Sequence, residues 1–386
     1  MSNRISAAIG LIAAMCVFGD SANARPQPVA KADDKGVAIE RLVESEMAAR
    51  GIPGAQLTIV QRGKIVFTGA YGQANVEAAA PVTKHTTFPI NSISKAVAGV
   101  AAMQLVEAGK LDLDAPFTTY LEGLPETWRG ITVRQLLTHV SGLPEIVDDN
   151  VRTRDGASPD VAWAKVQELP LKFTPGTKFE YTQTNYVVIG KIVEKITGKR
   201  YSDFVRTRQF DPVGMKHTSF AGPANIQPRA APLYTHVTLR IEDMKTVGVE
   251  RSKVPFLRHE PFSEYVYPAG GIQTTSTDLA KWAIAVQKLK LVDKNSLEQL
   301  WKPQTLADGT IRGMNATING YGLGWPSIRR AAHAPIALTG GARATVFIYP
   351  DDDLTIVVLT NLMGAAPEKF VDKIASLYIP DMTAGK

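Results

Sequence analysis

The 386-residue chain carries one cysteine, Cys16. With no second thiol, no intrachain disulfide can brace the fold. The chain must cohere by core packing, which its length permits. The histidines at 85, 139, 217, 236, 259 and 333 show no ligand spacing and have no cysteine partner, so no metal site is expected. Charge of one sign is scarce: 43 Lys and Arg face 37 Asp and Glu, a formal net charge of +6. No basic block stands out, which argues against a nucleic-acid partner. The apolar run at residues 5–18 is too short to span a bilayer comfortably. There is no G-x-S-x-G elbow, which argues against an ordinary α/β-hydrolase. There is no internal repeat.

Arg4, the apolar run and the stretch Gly19-Asp20-Ser21-Ala22-Asn23-Ala24 together read as a secretory signal peptide over residues 1–24, cut after Ala24. The bland alternative is an uncleaved anchor. Bulky Met15 disfavours lipid attachment at Cys16. Cleavage removes Cys16 and leaves no thiol nucleophile. The expected location is periplasmic or secreted, without stable membrane insertion and away from cytosolic ATP or NAD. Residues 25–34, polar and Pro-containing, read as a flexible leader. The rest is ordinary globular material, 45% hydrophobic and 21% charged,.

Ile39, Val43 and Met47 recur at helical spacing, and Gly51 stops that helix. "QLTIV" and "KIVFTGAYG" read as a hairpin. From about 88 to 301 the pattern turns largely helical. After Trp301 strands return in "GYGLGW", "ATVFIYP" and "LTIVVLTN", and a helix near 367–377 closes the chain. Two terminal strand regions, 35–87 and 302–386, that cannot each bury a sheet face alone are expected to share one sheet. The domain then spans 35–386, with residues 88–301 as an inserted, mainly helical region and a cleft between the two.

Within "FPINSISKAVAGV", Ser92 and Lys95 stand three apart at the start of a helix. Residues at i and i+3 share a helix face. Near a helix N-terminus the dipole favours an alkoxide and a developing oxyanion. Ile90, Ile93, Ala96, Val97 and Val100 are apolar, so burial would lower the Lys95 pKa and let it act as a base. By itself the pair also fits a capping serine and a surface lysine.

The surrounding phrases decide between these. "ITVRQLLTHVSGLP", "PGTKFEYTQTNYVVIGKIVEKITGKRY", "FDPVGMKHTSF", "PAGGIQTTSTDLAKW" and "GYGLGW" follow the Ser92 segment in order. Over residues 37–377 the chain resembles the serine β-lactamase-related hydrolases: AmpC-type β-lactamases, DD-carboxypeptidases and a carboxylesterase branch. The resemblance implies an α+β fold of the β-lactamase/transpeptidase kind, an antiparallel sheet flanked by helices. It makes Ser92 the nucleophile of S-x-x-K, Lys95 its lysine and Tyr181 the tyrosine of Y-x-N. A neighbouring ammonium would favour the Tyr181 phenolate. Which of Lys95 and Tyr181 is the formal base stays open. The resemblance implies backbone oxyanion donors at Ser92 and Gly341. It implies no metal or organic cofactor.

Two positions depart from the pattern. The asparagine of Y-x-N falls on Gln183, with Asn185 as a nearby substitute. The K-T-G or H-x-G motif falls on Leu338, Thr339 and Gly340, followed by Gly341, so leucine replaces a carboxylate-binding cation. His333 is a poor replacement by register. The expected substrate is therefore a small ester, or an amide or peptide held by apolar contacts. The alternatives are a β-lactamase or DD-peptidase-type amidase, and a catalytically inactive binder of peptidoglycan or peptide. Tyr181 also has a bland reading as a buried structural tyrosine. His139 is expected to be structural, bonded to a loop.

Overall fold

The computed structural model describes residues 34–147, 158–222, 227–242, 245–258 and 263–382. The signal-peptide reading, nearly all of the leader and Cys16 lie outside the described residues. No helix among the described residues is long and apolar enough to cross a membrane.

Both ends of the chain build one antiparallel sheet of eight strands. Its order is Ala80–Pro81, Lys64–Asn75, Gly54–Gln61, Leu354–Thr360, Ala344–Tyr349, Ile336–Gly340, Pro326–Ser327, Gly320–Tyr321. The N- and C-terminal halves meet where Gly54–Gln61 pairs with Leu354–Thr360, Ala55 opposite Thr360 and Gln61 opposite Leu354. The sequence reason is a short, nearly continuous apolar run in Leu354–Thr360, buried along its whole length, whose successive residues face opposite layers,. Ile356 and Val358 point to one layer, packed with Ile39, Val43, Phe370 and Ile374 of the terminal helices. Val357 and Leu359 point to the other, packed with Trp282, Val286 and Trp325. Both sheet faces are thus covered by helices.

The helix Ser94–Glu107 is buried on all sides from Ser94 to Leu105. Its run of Ala, Val and Gly makes it apolar all round, as a central helix must be. Gly99 lets it approach another segment: a Cβ there would stand 2.1 Å from the Leu323 carbonyl oxygen. Helix Gln183–Thr197 begins at the cap Thr182 and ends at Gly198 with φ +65°, a left-handed cap that glycine takes without strain. Thr275 caps Ser276–Gln287 by accepting from the Asp278 N–H, and Thr132 with Gln135 forms a capping box on Val133–Leu137,.

The middle region is less uniformly helical than its sequence suggests. It contains a long antiparallel hairpin, Leu233–Glu242 with Lys245–Arg258. Val237, Leu239 and Ile241 do alternate with polar residues. Asp243 and Met244 between the strands carry no Asn-Gly or Asp-Gly turn signal. Short strand pairs, Phe88–Pro89 and Ser219–Phe220 against Ile272–Thr274, also lie there.

Candidate active site

Ser92 sits in a 3-10 turn, Asn91–Ile93, that runs directly into the buried helix Ser94–Glu107. The turn is unusual: Asn91 has φ +44°. Lys95, one turn on, is 1% exposed. Its Nζ donates to Gln183 Oε1 at 2.6 Å, to the Ala269 carbonyl at 3.0 Å and to Ser92 Oγ at 3.5 Å. The ammonium also lies over two rings, 4.7 Å from the Tyr181 centroid and 5.3 Å from that of Tyr186. Burial pushes its pKa down to about 7, against the opposing charge of Glu145. Desolvation disfavours the charged form, and one buried carboxylate does not restore it.

Tyr181 precedes the helix Gln183–Thr197 and lines a cleft with Ser92. Its hydroxyl is covered and makes no hydrogen bond of good geometry. Burial pushes the phenol well above its ordinary range; the adjacent Ser92 hydroxyl works against that shift and Glu145 adds to it. The expectation of a favoured phenolate is therefore corrected. Desolvation outweighs everything else around the phenol, and the Lys95 ammonium faces the ring rather than pairing with an ionised oxygen. Burial thus keeps the Tyr181 phenol in its protonated form and favours the neutral amine of Lys95.

The two departures resolve differently. Gln183 takes the lysine contact itself: its longer side chain starts at the first residue of the helix and still reaches Nζ. Asn185 does not substitute. Its Oδ1 accepts from Ser141 Oγ at 2.6 Å, and its amide lies 3.1 Å from His139 Nδ1. Leu338, 1% exposed, is on the strand Ile336–Gly340 and lines a small recess with Ser92, Tyr181 and Thr339. An aliphatic side chain thus fills the recess where the family pattern has a cation. His333 is held elsewhere, 2.9 Å from Asp352.

Gly340 ends that strand against the Ser92 turn: a Cβ there would lie 1.9 Å from the Ile90 carbonyl oxygen and 3.3 Å from the Ser92 nitrogen. Gly341 follows at φ +56° and borders the cleft together with Ser92 and Thr339. The cleft measures about 670 Å3. Its lining includes Met314, Ile318, Ile328, Ala342 and Phe347 together with Glu368, Lys369, Asp372 and Lys373.

His139 is fully buried, with burial and then the Lys95 charge pushing its pKa well down. Its Nδ1 accepts from the Thr182 N–H at 3.3 Å, and its ring packs on Tyr181 at 4.3 Å between centroids. This neutral ring supports the Tyr181 loop. Glu145 is the group the sequence reading passed over. Its carboxylate accepts from the Gln183 N–H at 2.9 Å and from the Ile146 N–H at 2.9 Å; burial raises its pKa and the backbone donors oppose this. It thereby holds the start of the helix that delivers Gln183 to Lys95. Only its position in "SGLPEI", directly after the segment "ITVRQLLTHVSGLP", could have marked it. The loop "PAGGIQTTSTDL" reaches the site through the Ala269 carbonyl. Among the described residues no group of three His, Cys, Asp or Glu is placed to hold a metal ion.

A protein named flp from Staphylococcus aureus (strain N315) is 25% identical over 356 residues, covering 89% of this chain. The chain spans 66% of that relative's length. The octameric penicillin-binding protein homologue from Pyrococcus abyssi superposes with a TM-score of 0.74 at 25% identity, covering 89% of this chain and 77% of its own. The D-amino acid amidase from Ochrobactrum anthropi SV3 gives 0.71 at 24% identity, over 89% of this chain and 98% of its own; that likeness is one of fold. The family described as Beta-lactamase matches residues 39–379, so this chain, with its α+β β-lactamase/transpeptidase-like fold, belongs to the beta-lactamase family of the serine β-lactamase/transpeptidase superfamily.

Proposed function

We propose that the chain is a serine hydrolase working through a covalent acyl-enzyme on carboxylic esters or apolar amides. The observation that carries this is the buried Lys95, with a pKa of about 7 and its Nζ 3.5 Å from Ser92 Oγ at the wall of an open cleft. Burial lowers the Lys95 pKa towards neutrality, so the uncharged amine is available to accept a proton. Ser92 Oγ attacks the carbonyl carbon and its proton passes to Nζ. The carbonyl oxygen becomes an oxyanion held by the backbone N–H groups of Ser92 and Gly341. The intermediate collapses, the C–O or C–N bond breaks, and the leaving group takes the Tyr181 proton. Lys95 returns a proton to Tyr181. Water then attacks the acyl-enzyme, the carboxylic acid departs, and Ser92 regains its proton.

The substrate class rests on Leu338 and the apolar cleft wall. Burying a substrate carboxylate against leucine would leave it unpaired, which costs several kcal/mol, on the order of the penalty for an unpartnered polar group. The signal-peptide reading adds a periplasmic or secreted location. A fluorophosphonate probe tests the enzyme: labelling that vanishes in Ser92→Ala supports it, and an unlabelled protein supports the inactive binder instead. A panel of p-nitrophenyl esters against nitrocefin tests the substrate. Nitrocefin turnover rivalling that of short esters would favour the β-lactamase or peptidase alternative.

A further inference from the structure

We propose that Asn91 and Arg343 form a brace that fixes the spacing of the Ser92 turn and the Gly341 turn, making both of them positioning residues for attack by Ser92. This rests on the reading of Ser92 as nucleophile.

Asn91 directly precedes Ser92 and stands at φ +44°, in the left-handed region that asparagine tolerates better than most residues. Its backbone angles set where the Ser92 N–H and Oγ point. Arg343 lies two residues beyond Gly341. Its Nε donates to Asn91 Oδ1 at 3.0 Å, so one hydrogen bond spans the two segments that carry the oxyanion donors. Arg343 is 1% exposed and Asn91 7%. Both crowd onto Gly341: a Cβ there would stand 3.1 Å from Asn91 Cγ and 3.2 Å from Arg343 Cζ. Arg343 is itself anchored, because its carbonyl accepts from the Thr360 N–H at 2.9 Å and from Thr360 Oγ1 at 2.9 Å. Thr360 ends the strand at the middle of the sheet. The nucleophile's turn is therefore tied to the sheet through Arg343. Burying a guanidinium is costly, and a well-packed apolar side chain would stabilise the fold as well or better. A planar charged donor gives directional control that an apolar contact lacks. A displacement of about 1 Å at such a site can cost on the order of 100-fold in rate.

The experiment uses the full chain and four variants. Asn91→Gly keeps the backbone angle and removes the acceptor. Asn91→Asp keeps both. Arg343→Met removes the donor at similar length. The fourth combines Asn91→Gly with Arg343→Met. The rate of Ser92 phosphonylation by a fluorophosphonate, kcat and KM on a p-nitrophenyl ester, and Tm are measured for each. Asn91→Gly and Arg343→Met are expected to slow phosphonylation and to lower kcat by about 10- to 100-fold with KM little changed, the signature of an interaction expressed in the transition state. The double variant should be no slower than the slower single one, as for two halves of one unit. Asn91→Asp should retain most of the rate. Multiplicative losses in the double variant, or losses matching only a fall in folded fraction, would overturn the brace. A wild-type protein that the probe fails to label would overturn the Ser92 reading and the brace with it.

Discussion

Gln183 Oε1 accepts from the Lys95 ammonium at 2.6 Å, so the residue that departs from the family pattern still meets Lys95. It does so because Glu145 holds the Gln183 N–H at 2.9 Å and fixes the first turn of the helix. Replacing Gln183 by Leu should leave Nζ one acceptor short in a buried setting. We expect kcat/KM on a p-nitrophenyl ester to fall by about 10- to 100-fold, the loss of one charge-assisted hydrogen bond worth roughly 1.5–3 kcal/mol. Steady-state kinetics with a Tm control checks this; unchanged kinetics would remove Gln183 from the site.

The Lys95 pKa fixes a pH profile. Burial lowers it from 10.5 to about 7, and only the neutral amine can accept the Ser92 proton. kcat/KM should therefore climb with pH through about 7 and then level off. An ordinary exposed lysine would put that limb above pH 10. A rising limb confined to that high range in the measured profile would contradict the assignment.

The same shift has a consequence for stability. Between about 7 and 10.5 the unfolded chain binds the proton that the folded chain has lost. Stability from this group then rises with pH across that window, because the unfolded state carries more protons. Below the window the full cost of a buried ammonium remains. Lys95→Met should raise Tm most at pH 6, and the gain should shrink towards pH 10. Thermal melts at the two pH values decide it; a gain that grows with pH would have the wrong sign.

The proposed mechanism uses Tyr181 as a proton donor, and burial keeps its phenol protonated. Tyr181→Phe should cost about 100- to 10,000-fold where the leaving group needs a proton, the usual range for a general acid. Alkyl esters and amides belong to that class. p-Nitrophenolate leaves without help, so p-nitrophenyl esters should lose far less. Equal losses on both substrate types would argue for a positioning role alone.

Gly340 separates strand and nucleophile by too little for any side chain. In Gly340→Ala the new methyl would meet the Ile90 carbonyl oxygen at 1.9 Å, and one of the two segments must move. Fluorophosphonate labelling should nearly vanish and Tm should drop. A variant labelling at the wild-type rate would show that the strand and the Ser92 turn are not coupled.

What could be read from the chain follows from local physics. The short continuous apolar run in "LTIVVLTN" and the helical spacing of apolar residues in "NYVVIGKIVEKITGK" reflect which faces must be buried, so those elements were legible in the chain. The Ser92–Lys95 pair was equally legible, since three residues on a helix is a fixed geometry. The hairpin at 233–258 was not, because its turn lacks a glycine or asparagine signal. Nor was Glu145, a lone acid in a loop with no spacing to mark it.

The sequence alone determined that strands from both termini need one another, and that a serine and a lysine share a helical turn beside apolar neighbours. Tertiary structure decided the burial that lowers the Lys95 pKa and raises that of Tyr181, the choice of Gln183 over Asn185, and the tie between Asn91 and Arg343. Those depend on desolvation and on contacts across as many as 252 positions of chain. Such distances and burial arise only once the sheet has brought remote segments together.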